Sequence, residues 1–521
     1  MRTSHRFRVW VVSGPVTERV SAGLAALLAL ILVFLAVLPT GSHAPGTGLG
    51  TLGSPAASAG PVSGTPGAPS VSGSGPAGGA VGSGAGGAAP GSAEGGAVTP
   101  SSSGQAAGGA EGSVPTGGGQ CGNLTSTDKG VTSNQILIGV VIPDLGSLGG
   151  AEGLPSFQQQ QSAFNAIFDS YNQSGGVQCR KLVPKYYDDM VLDASGEHAD
   201  CLQMVQDGVF AVVNNLYNPQ ESTCVAQQHI PNVWYTPPHT GAERQFYPYL
   251  LSDFTNYDRL IKDYVFGAKE AGFFTGMHKL GILEQSCFPD EDTDIAASLS
   301  AAGIPDSQIE RYNYGCPGVI APPSDSQAAV LQFKRDGVTH VMNVTTYVTN
   351  FGQSAGQQDY HPKIALMEDG VMSGMTSQNP APDPSFEGTL GVATDQIGAA
   401  TTPGVAVSPA TTACAKILAK IGYPPPTQSA RQGLAGTLAG NACAIMTVLV
   451  AAMRADVPLV RTGLAQALAG AGQLDLSYPA GPFNVTNPAD PSGGQYYRTA
   501  RWSSGCTCWH VIDQTWHKGF N

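Results

Sequence analysis

The chain has 521 residues and carries 25 Lys and Arg against 38 Asp and Glu, a formal net charge of -13. So acidic a chain argues against a phosphate-binding surface and a nucleic-acid partner. Residues 41–120 hold 26 Gly and 9 Pro, above the roughly 25–30% at which a non-periodic segment reads as disordered, so about 400 residues (121–521) are left to build cores.

Residues 1–19 form a basic cytoplasmic segment with four Arg (2, 6, 8 and 19) against Glu18. Residues 20–38 are a 19-residue run without a charge, which as a helix at 1.5 Å per residue reaches across a hydrocarbon core of ~30 Å. The Arg excess keeps the amino end inside and exports the chain beyond residue 38. Two outcomes stay open: a transmembrane anchor, or a signal cleaved after Ala44, where Ser42-His43-Ala44 has small residues at peptidase spacing. Residues 39–120 read as a disordered Gly/Pro/Ser/Ala linker with Glu94 and Glu111 as its charges, a tether of roughly 50 Å end to end. The protein is therefore expected outside the cytoplasm, held to the membrane by its N-terminal helix or secreted.

The folded part opens with residues 136–142, ILIGVVI, which read as a strand buried on both faces, as in a parallel sheet. Helical spacing comes next over 156–173, then a strand at 182–187, a helix at 194–207, a strand at 209–213, a helix at 220–229 and a strand at 231–235. This alternation predicts βαβ units and a first α/β lobe, mainly 121–255. The pattern restarts over 256–390 with helices at 260–271, 292–302 and 327–336 and strands at 279–283, 309–314, 338–344 and 363–367, a second α/β lobe. Residues 391–521 are expected to supply hinge crossovers, helices at 406–421, 431–454 and 461–469, and short strands over 481–512 that complete both lobes. The fold class is thus α/β: two Rossmann-like lobes with parallel sheets, and a ligand cleft beyond the carboxyl ends of the strands.

The order and spacing of ILIGVVIPDLG, FNAIFDSYNQSGGV, KLVPKYYDD, CLQMVQDGVFAVVNNLYNPQESTCVAQQHIPNV, GVTHVMNVTTY and KIALMEDG resemble the type I periplasmic solute-binding proteins. The likeness is to the branched-chain amino-acid (leucine/isoleucine/valine-binding) group of ABC-transporter receptors. It implies two hinged lobes that close on a small solute, without chemistry. In that family, loops after the third and fourth strands hold the solute's carboxylate. Here they contribute Tyr217, Asn218, Glu221 and Ser222, then Thr236 and Thr240. Where the family has a Ser-rich run, this chain reads Asn218-Pro219-Gln220-Glu221-Ser222. The second lobe should supply an aromatic and an acid, which match Tyr347 and Glu368-Asp369, with Phe288 at a neighbouring strand end. The implied partners are a small polar or amphipathic ligand and an ABC permease. A sensor signalling to another membrane protein is the alternative.

All ten Cys fall within 121–521, an even count that suits disulfides in an oxidising compartment. The candidate pairs are Cys201 with Cys224, Cys287 with Cys316, and Cys414 with Cys443; sequence leaves the connectivity open. Cys506-Thr507-Cys508 with His510 and His517 has the residue types of a metal site, but oxidised pairing is the expectation in an exported chain, and no metal is expected. Gly352-Gln353-Ser354-Ala355-Gly356 matches the G-x-S-x-G elbow and makes a serine hydrolase using Ser354 a minor alternative. No H-E-x-x-H, P-loop or strand-following G-x-G-x-x-G occurs in 121–521, so neither a catalytic residue nor a cofactor is expected.

Overall fold

The computed structural model describes residues 122, 124–144, 155–190, 194–215, 219–234, 246–285, 289–315, 323–345, 348–367, 372, 384–424, 433–479, 481–490 and 492–520. All lie within one compact unit. The apolar run 20–38 and the linker 39–120 lie outside the described residues.

The first lobe has five strands: β1 (Gln135–Asp144), β2 (Lys181–Met190), β3 (Ala211–Asn214), β4 (Asn232–Trp234) and β5 (Leu250–Ser252). They pair in the order β2-β1-β3-β4-β5, every pair parallel. Strand β1 is apolar on both faces because both are covered. Ile136, Ile138, Val140 and Ile142 share one cluster with Phe164 and Phe168 of α1 (Phe157–Gln173). Val141 joins the other, with Met204 of α2 (Ala194–Asp207) and Val225 of α3 (Pro219–Gln227). Ser156 caps α1 with a complete capping box: Gln159 N donates to Ser156 Oγ (3.3 Å), and Ser156 N donates to Gln159 Oε1 (2.9 Å).

The second lobe repeats the plan. Strands β6 (Leu280–Glu284), β7 (Ile309–Asn313), β8 (His340–Asn343), β9 (Lys363–Met367) and β10 (Leu390–Ala393) run parallel in the order β7-β6-β8-β9-β10. Helices α4 (Tyr257–Glu270) and α5 (Pro289–Ala301) cover one face. The other is covered by α6 (Pro323–Asp336) and α7 (Val348–Gln357).

Three helices then return to the first lobe: α8 (Pro409–Ala419), α9 (Gly433–Ala455) and α10 (Leu464–Gly470). Helix α9 is long and apolar enough to cross a membrane by length and composition, but it is buried, packed on α1, β3 and β4. The chain finishes in the second sheet with β11 (Tyr496–Ser503), β12 (Cys508–Val511) and β13 (His517–Lys518).

These last strands correct one expectation. The second sheet is mixed rather than parallel: β11 is antiparallel to β10, and β12 and β13 are antiparallel to β11. An antiparallel pair needs only the short turn 504–507, whereas a parallel return demands a crossover of a dozen or more residues. Helix α7 and strands β5 and β10 are elements that periodicity did not reveal. Strand β5 is two Leu and a Ser directly before Asp253, and β10 carries Gly391, so neither sits in a continuous apolar run, and α7 carries Gly352 and Gly356 in a run opened by Val348 and Thr349.

Among the described residues no cysteine is free. Cys201–Cys224 joins α2 to α3, and Cys414–Cys443 joins α8 to α9, as the helix positions led one to expect. Cys506–Cys508 closes within the β11–β12 turn, and Cys179 is also disulfide-bonded. Cys287 and Cys316 lie outside the described residues.

Two consequences can be measured. The Cys201–Cys224 bridge closes a 23-residue separation, so replacing both with Ala should cost about 3 kcal/mol in chemical denaturation by the loop-entropy relation. The second concerns Asp263 of α4, whose carboxyl accepts from Phe520 N (2.7 Å) and is pushed up to about 7 by burial, against the weaker opposing pull of that hydrogen bond, Arg259 and Lys262. The folded state then holds a proton between about pH 4 and 7 that the unfolded chain has released. Asp263 therefore lowers stability as pH rises through that window, by up to about 1.4 kcal/mol per unit. Asp263→Asn, which keeps the acceptor for Phe520, should gain on the wild type from pH 4 to pH 7 in urea titrations and hold a constant difference above it.

Candidate ligand-binding cleft

The first sheet and the parallel part of the second have the strand order 2-1-3-4-5, the doubly wound arrangement in which ligands bind beyond the carboxyl ends of the strands. Those ends are where the candidate residues arise. Tyr217 and Asn218 follow β3, and Glu221 and Ser222 fall in the first turns of α3. Thr236 and Thr240 follow β4, Phe288 follows β6, Tyr347 follows β8, and Glu368 and Asp369 follow β9. Tyr217, Asn218, Thr236, Thr240, Phe288, Tyr347, Glu368 and Asp369, with the side chain of Glu221, lie outside the described residues. Ser222 is described, and its side chain is fully buried.

Three segments cross between the lobes. One leaves the carboxyl end of β5 (253–256), one the carboxyl end of β10 (394–408), and the third runs from α10 to β11 (471–495). Because the first two depart from carboxyl edges, those edges of both sheets meet where the crossings run. The crossings are tied to one another. Ser252 pairs with Ser492 in a parallel bridge, and Asp395 with Pro479 in an antiparallel one. Gly494 N donates to Phe254 O (3.2 Å), Gln396 N to Tyr478 O (3.0 Å), and Asn256 Nδ2 to Asp490 Oδ2 (2.8 Å). At Gly494 the approach leaves no room for a side chain: a Cβ there would sit 2.5 Å from Thr255 N.

Around the strand ends the structure collects buried polar groups that periodicity passed over. Gln160 of α1 donates from Nε2 to Pro143 O (3.0 Å) and Pro155 O (2.9 Å), holding the end of β1 to the start of α1. Asn215, one residue past β3, donates to Leu438 O of α9 (3.0 Å). Asp253, one residue past β5, is fully buried, and burial holds its carboxyl well above the usual carboxylate range. In the second lobe Tyr264 of α4 donates to Ala365 O (2.7 Å) and accepts from Asn343 N (3.0 Å), so one hydroxyl clasps β8 and β9 just before Tyr347 and Glu368. Thr345 Oγ1 donates to Asn343 Oδ1 (2.9 Å), and Asn343 Nδ2 returns a bond to Thr345 O, which fixes the chain leading to Tyr347. Glu284 at the end of β6 pairs with Arg311 (2.7 Å). A sequence signal did exist: Asn343 interrupts the apolar run VTHVMNV.

Ser354 does not stand on an elbow. It lies inside α7, 6% exposed, its carbonyl accepting from Gln358 N, whereas a nucleophile elbow needs its Ser at a sharp turn directly between strand and helix. Phe386 packs so close to Gly352 that a Cβ there would meet its ring at 2.0 Å, so the glycines serve helix packing. Trp234, at the end of β4, is wholly buried. His517 is absent from the Cys506/Cys508 cluster because its Nε2 bonds Asp513 Oδ2 (2.9 Å) and its ring stacks on Tyr497.

No family model matches the sequence, and no curated protein matches it. Solved structures do. One is a fatty acid ABC transporter substrate-binding protein from Thermomonospora curvata, 16% identical, TM-score 0.55, with 76% of this chain and 95% of that one covered. Another is a branched chain amino acid ABC transporter from Thermus thermophilus with bound valine, 13% identical, TM-score 0.54, covering 74% and 97%. A third, from R. palustris, is an ABC-transporter solute binding protein in complex with 4-hydroxybenzoate, 16% identical, TM-score 0.52, covering 74% and 97%. The chain has the α/β fold of the type I periplasmic binding proteins, across nearly the whole length of each of these structures.

The crossing geometry generates a test. Gly494→Ala should push the third crossing off the first and cost about 1–3 kcal/mol in denaturant titrations. Gly470→Ala, at the end of α10 where a Cβ meets nothing within 4 Å, should be neutral or slightly stabilising.

Proposed function

We propose that the chain is an extracytoplasmic solute-binding protein that captures a small polar or amphipathic ligand in the cleft between its lobes and passes it to an ABC-type importer. The observation that carries this reading is the pair of 2-1-3-4-5 sheets whose carboxyl ends meet at three crossings. A ligand touching loops from both edges favours the closed arrangement of the lobes, because only contacts made to both lobes distinguish closed from open. The bound valine and 4-hydroxybenzoate of the similar structures are consistent with a small carboxylate-bearing ligand. No reaction is assigned: the one nucleophile motif is absorbed into a helix, and the cleft reading requires binding alone.

In this reading Tyr217, Asn218, Glu221, Ser222, Thr236 and Thr240 serve the ligand from the first lobe. Phe288, Tyr347, Glu368 and Asp369 serve it from the second. The uncharged run 20–38 and the Gly/Pro-rich segment behind it make the tether that places the cleft away from the membrane.

A thermal-shift screen of amino acids, amides, aromatic acids and short peptides tests the reading, since a ligand at 100 times its Kd adds roughly 2.7 kcal/mol to stability. Tyr347→Ala should weaken the binding of a hit while leaving the melting temperature of the free protein nearly unchanged. Asp369→Asn should cost about 1.5–3 kcal/mol for a ligand with an ammonium group and much less for its neutral analogue. Equal small losses for both ligands in both variants would show that these residues are turn structure only.

A further inference from the structure

The β11–β12 hairpin carries a cluster that ligand capture does not use. Cys506, Cys508 and His510 offer three ligand atoms within 4.8 Å of one another. His510 Nε2 lies 3.4 Å from Cys506 Sγ and 3.4 Å from Cys508 Sγ. The two sulfurs are joined to each other, and their Cα atoms are 5.2 Å apart. Cys506 is exposed at the turn, His510 half-buried, and Cys508 buried at the root of β12.

The stem beneath the turn is rigid. Trp502 and Trp509, a cross-strand pair, are both fully buried with rings edge to face at 5.4 Å. Trp509 Nε1 donates to Met372 O (2.9 Å), and Val511 N to Thr402 Oγ1 (2.7 Å). Since side chains alternate along a strand, burying Trp509 turns Cys508 and His510 together to the opposite face. Arg501, the register partner of His510, stands on that same face of the sheet.

We propose that Cys506, Cys508 and His510 form a redox-gated site for a thiophilic closed-shell cation, of which Zn2+ is the type. With Zn–S near 2.3 Å and Zn–N near 2.0–2.1 Å, a tetrahedral ion sets sulfur and nitrogen ligands about 3.5 Å apart, the separation His510 already keeps from both sulfurs. Only the two sulfurs must part, to about 3.8 Å, and this requires cleavage of their bond. An external dithiol reductant performs it: its two sulfurs become a disulfide, two electrons pass to Cys506 and Cys508, and each takes up one proton as a thiol. On metal binding both thiol protons leave to solvent, and neutral His510 donates its Nε2 lone pair while Nδ1 keeps the hydrogen. Water fills the fourth position on the open side of the turn. In the disulfide state neither sulfur is a thiolate and the ion has no site, so oxidation releases the metal.

The test uses the full chain, treated anaerobically with a limited amount of dithiol reductant, desalted, and titrated with Zn2+ against a chromophoric chelator. The wild type is compared with the double variant Cys506→Ser/Cys508→Ser treated identically, so that zinc taken up by any other reduced cysteine cancels. Reduced wild type should bind one zinc more than the double variant, and untreated wild type none more. His510→Ala should weaken that extra site by at least about tenfold, the lower end of what losing an outer-shell partner costs. A double variant that melts with the wild type shows that the hairpin has kept its fold. Equal zinc uptake by reduced wild type and double variant would overturn the proposal, as would extra zinc bound by the untreated protein. Undiminished affinity in His510→Ala would remove the histidine from the site and with it the three-ligand assignment.

Discussion

The architecture depends on where helix α9 can be buried. Its 23 residues are apolar on every side, so no orientation on a surface satisfies it. The place that does is the face of the first sheet beside α1, where β3 and β4 present Val213 and Val233 and where its own Ala and Gly residues permit close approach. Helix α9 comes after the entire second lobe in the chain, so that face stays uncovered until the polypeptide has crossed over, built five further strands and crossed back. Two crossings result from this alone. The third arises because the chain still has β11 and β12 to lay against β10.

The cleft is a by-product of the same connectivity. A parallel strand leaves its sheet at the carboxyl end, so β5 and β10 deliver their crossings to the carboxyl edges of the two sheets, the edges at which doubly wound folds bind ligands. The crossings therefore run along the carboxyl edges of both sheets, where Gly494 N donates to Phe254 O and ties the third crossing to the first. Tyr264 has a related role: one buried hydroxyl ties the carboxyl end of β8 to β9.

The disulfides divide by position. Cys201–Cys224 and Cys414–Cys443 staple helix pairs on opposite faces of the first sheet, the lobe whose chain is interrupted by the whole of the second. Neither bridge spans the insertion; each closes a local loop, of 23 and 29 residues, and narrows the unfolded ensemble on its own side of it. Cys506–Cys508 closes a turn of three residues on a hairpin already fixed by two buried Trp, so it adds little constraint. A chemical role beside His510 explains its presence better than stability does.

Much of the fold was legible from sequence. Runs such as ILIGVVI and the helical spacing of Phe164, Ile167 and Phe168 are local consequences of burial, and burial periodicity is written residue by residue. The two helix-to-helix disulfides were legible for the same reason, because they depend on which helices are neighbours. The short strands β5 and β10 and the helix around Ser354 were not, because their conformations come from neighbours: β5 extends beside β4, β10 lies between β9 and β11, and α7 fills the sheet face against Phe333 and Phe386 despite two glycines. The antiparallel end of the second sheet was equally hidden, since strand direction depends on how the chain returns. For the cleft, the sequence alone determined the order of loops and the residue types on them. Only the tertiary structure decided that the carboxyl edges of two sheets meet at shared crossings, because that meeting is set by where α9 finds its burial more than 200 residues after β3 was formed.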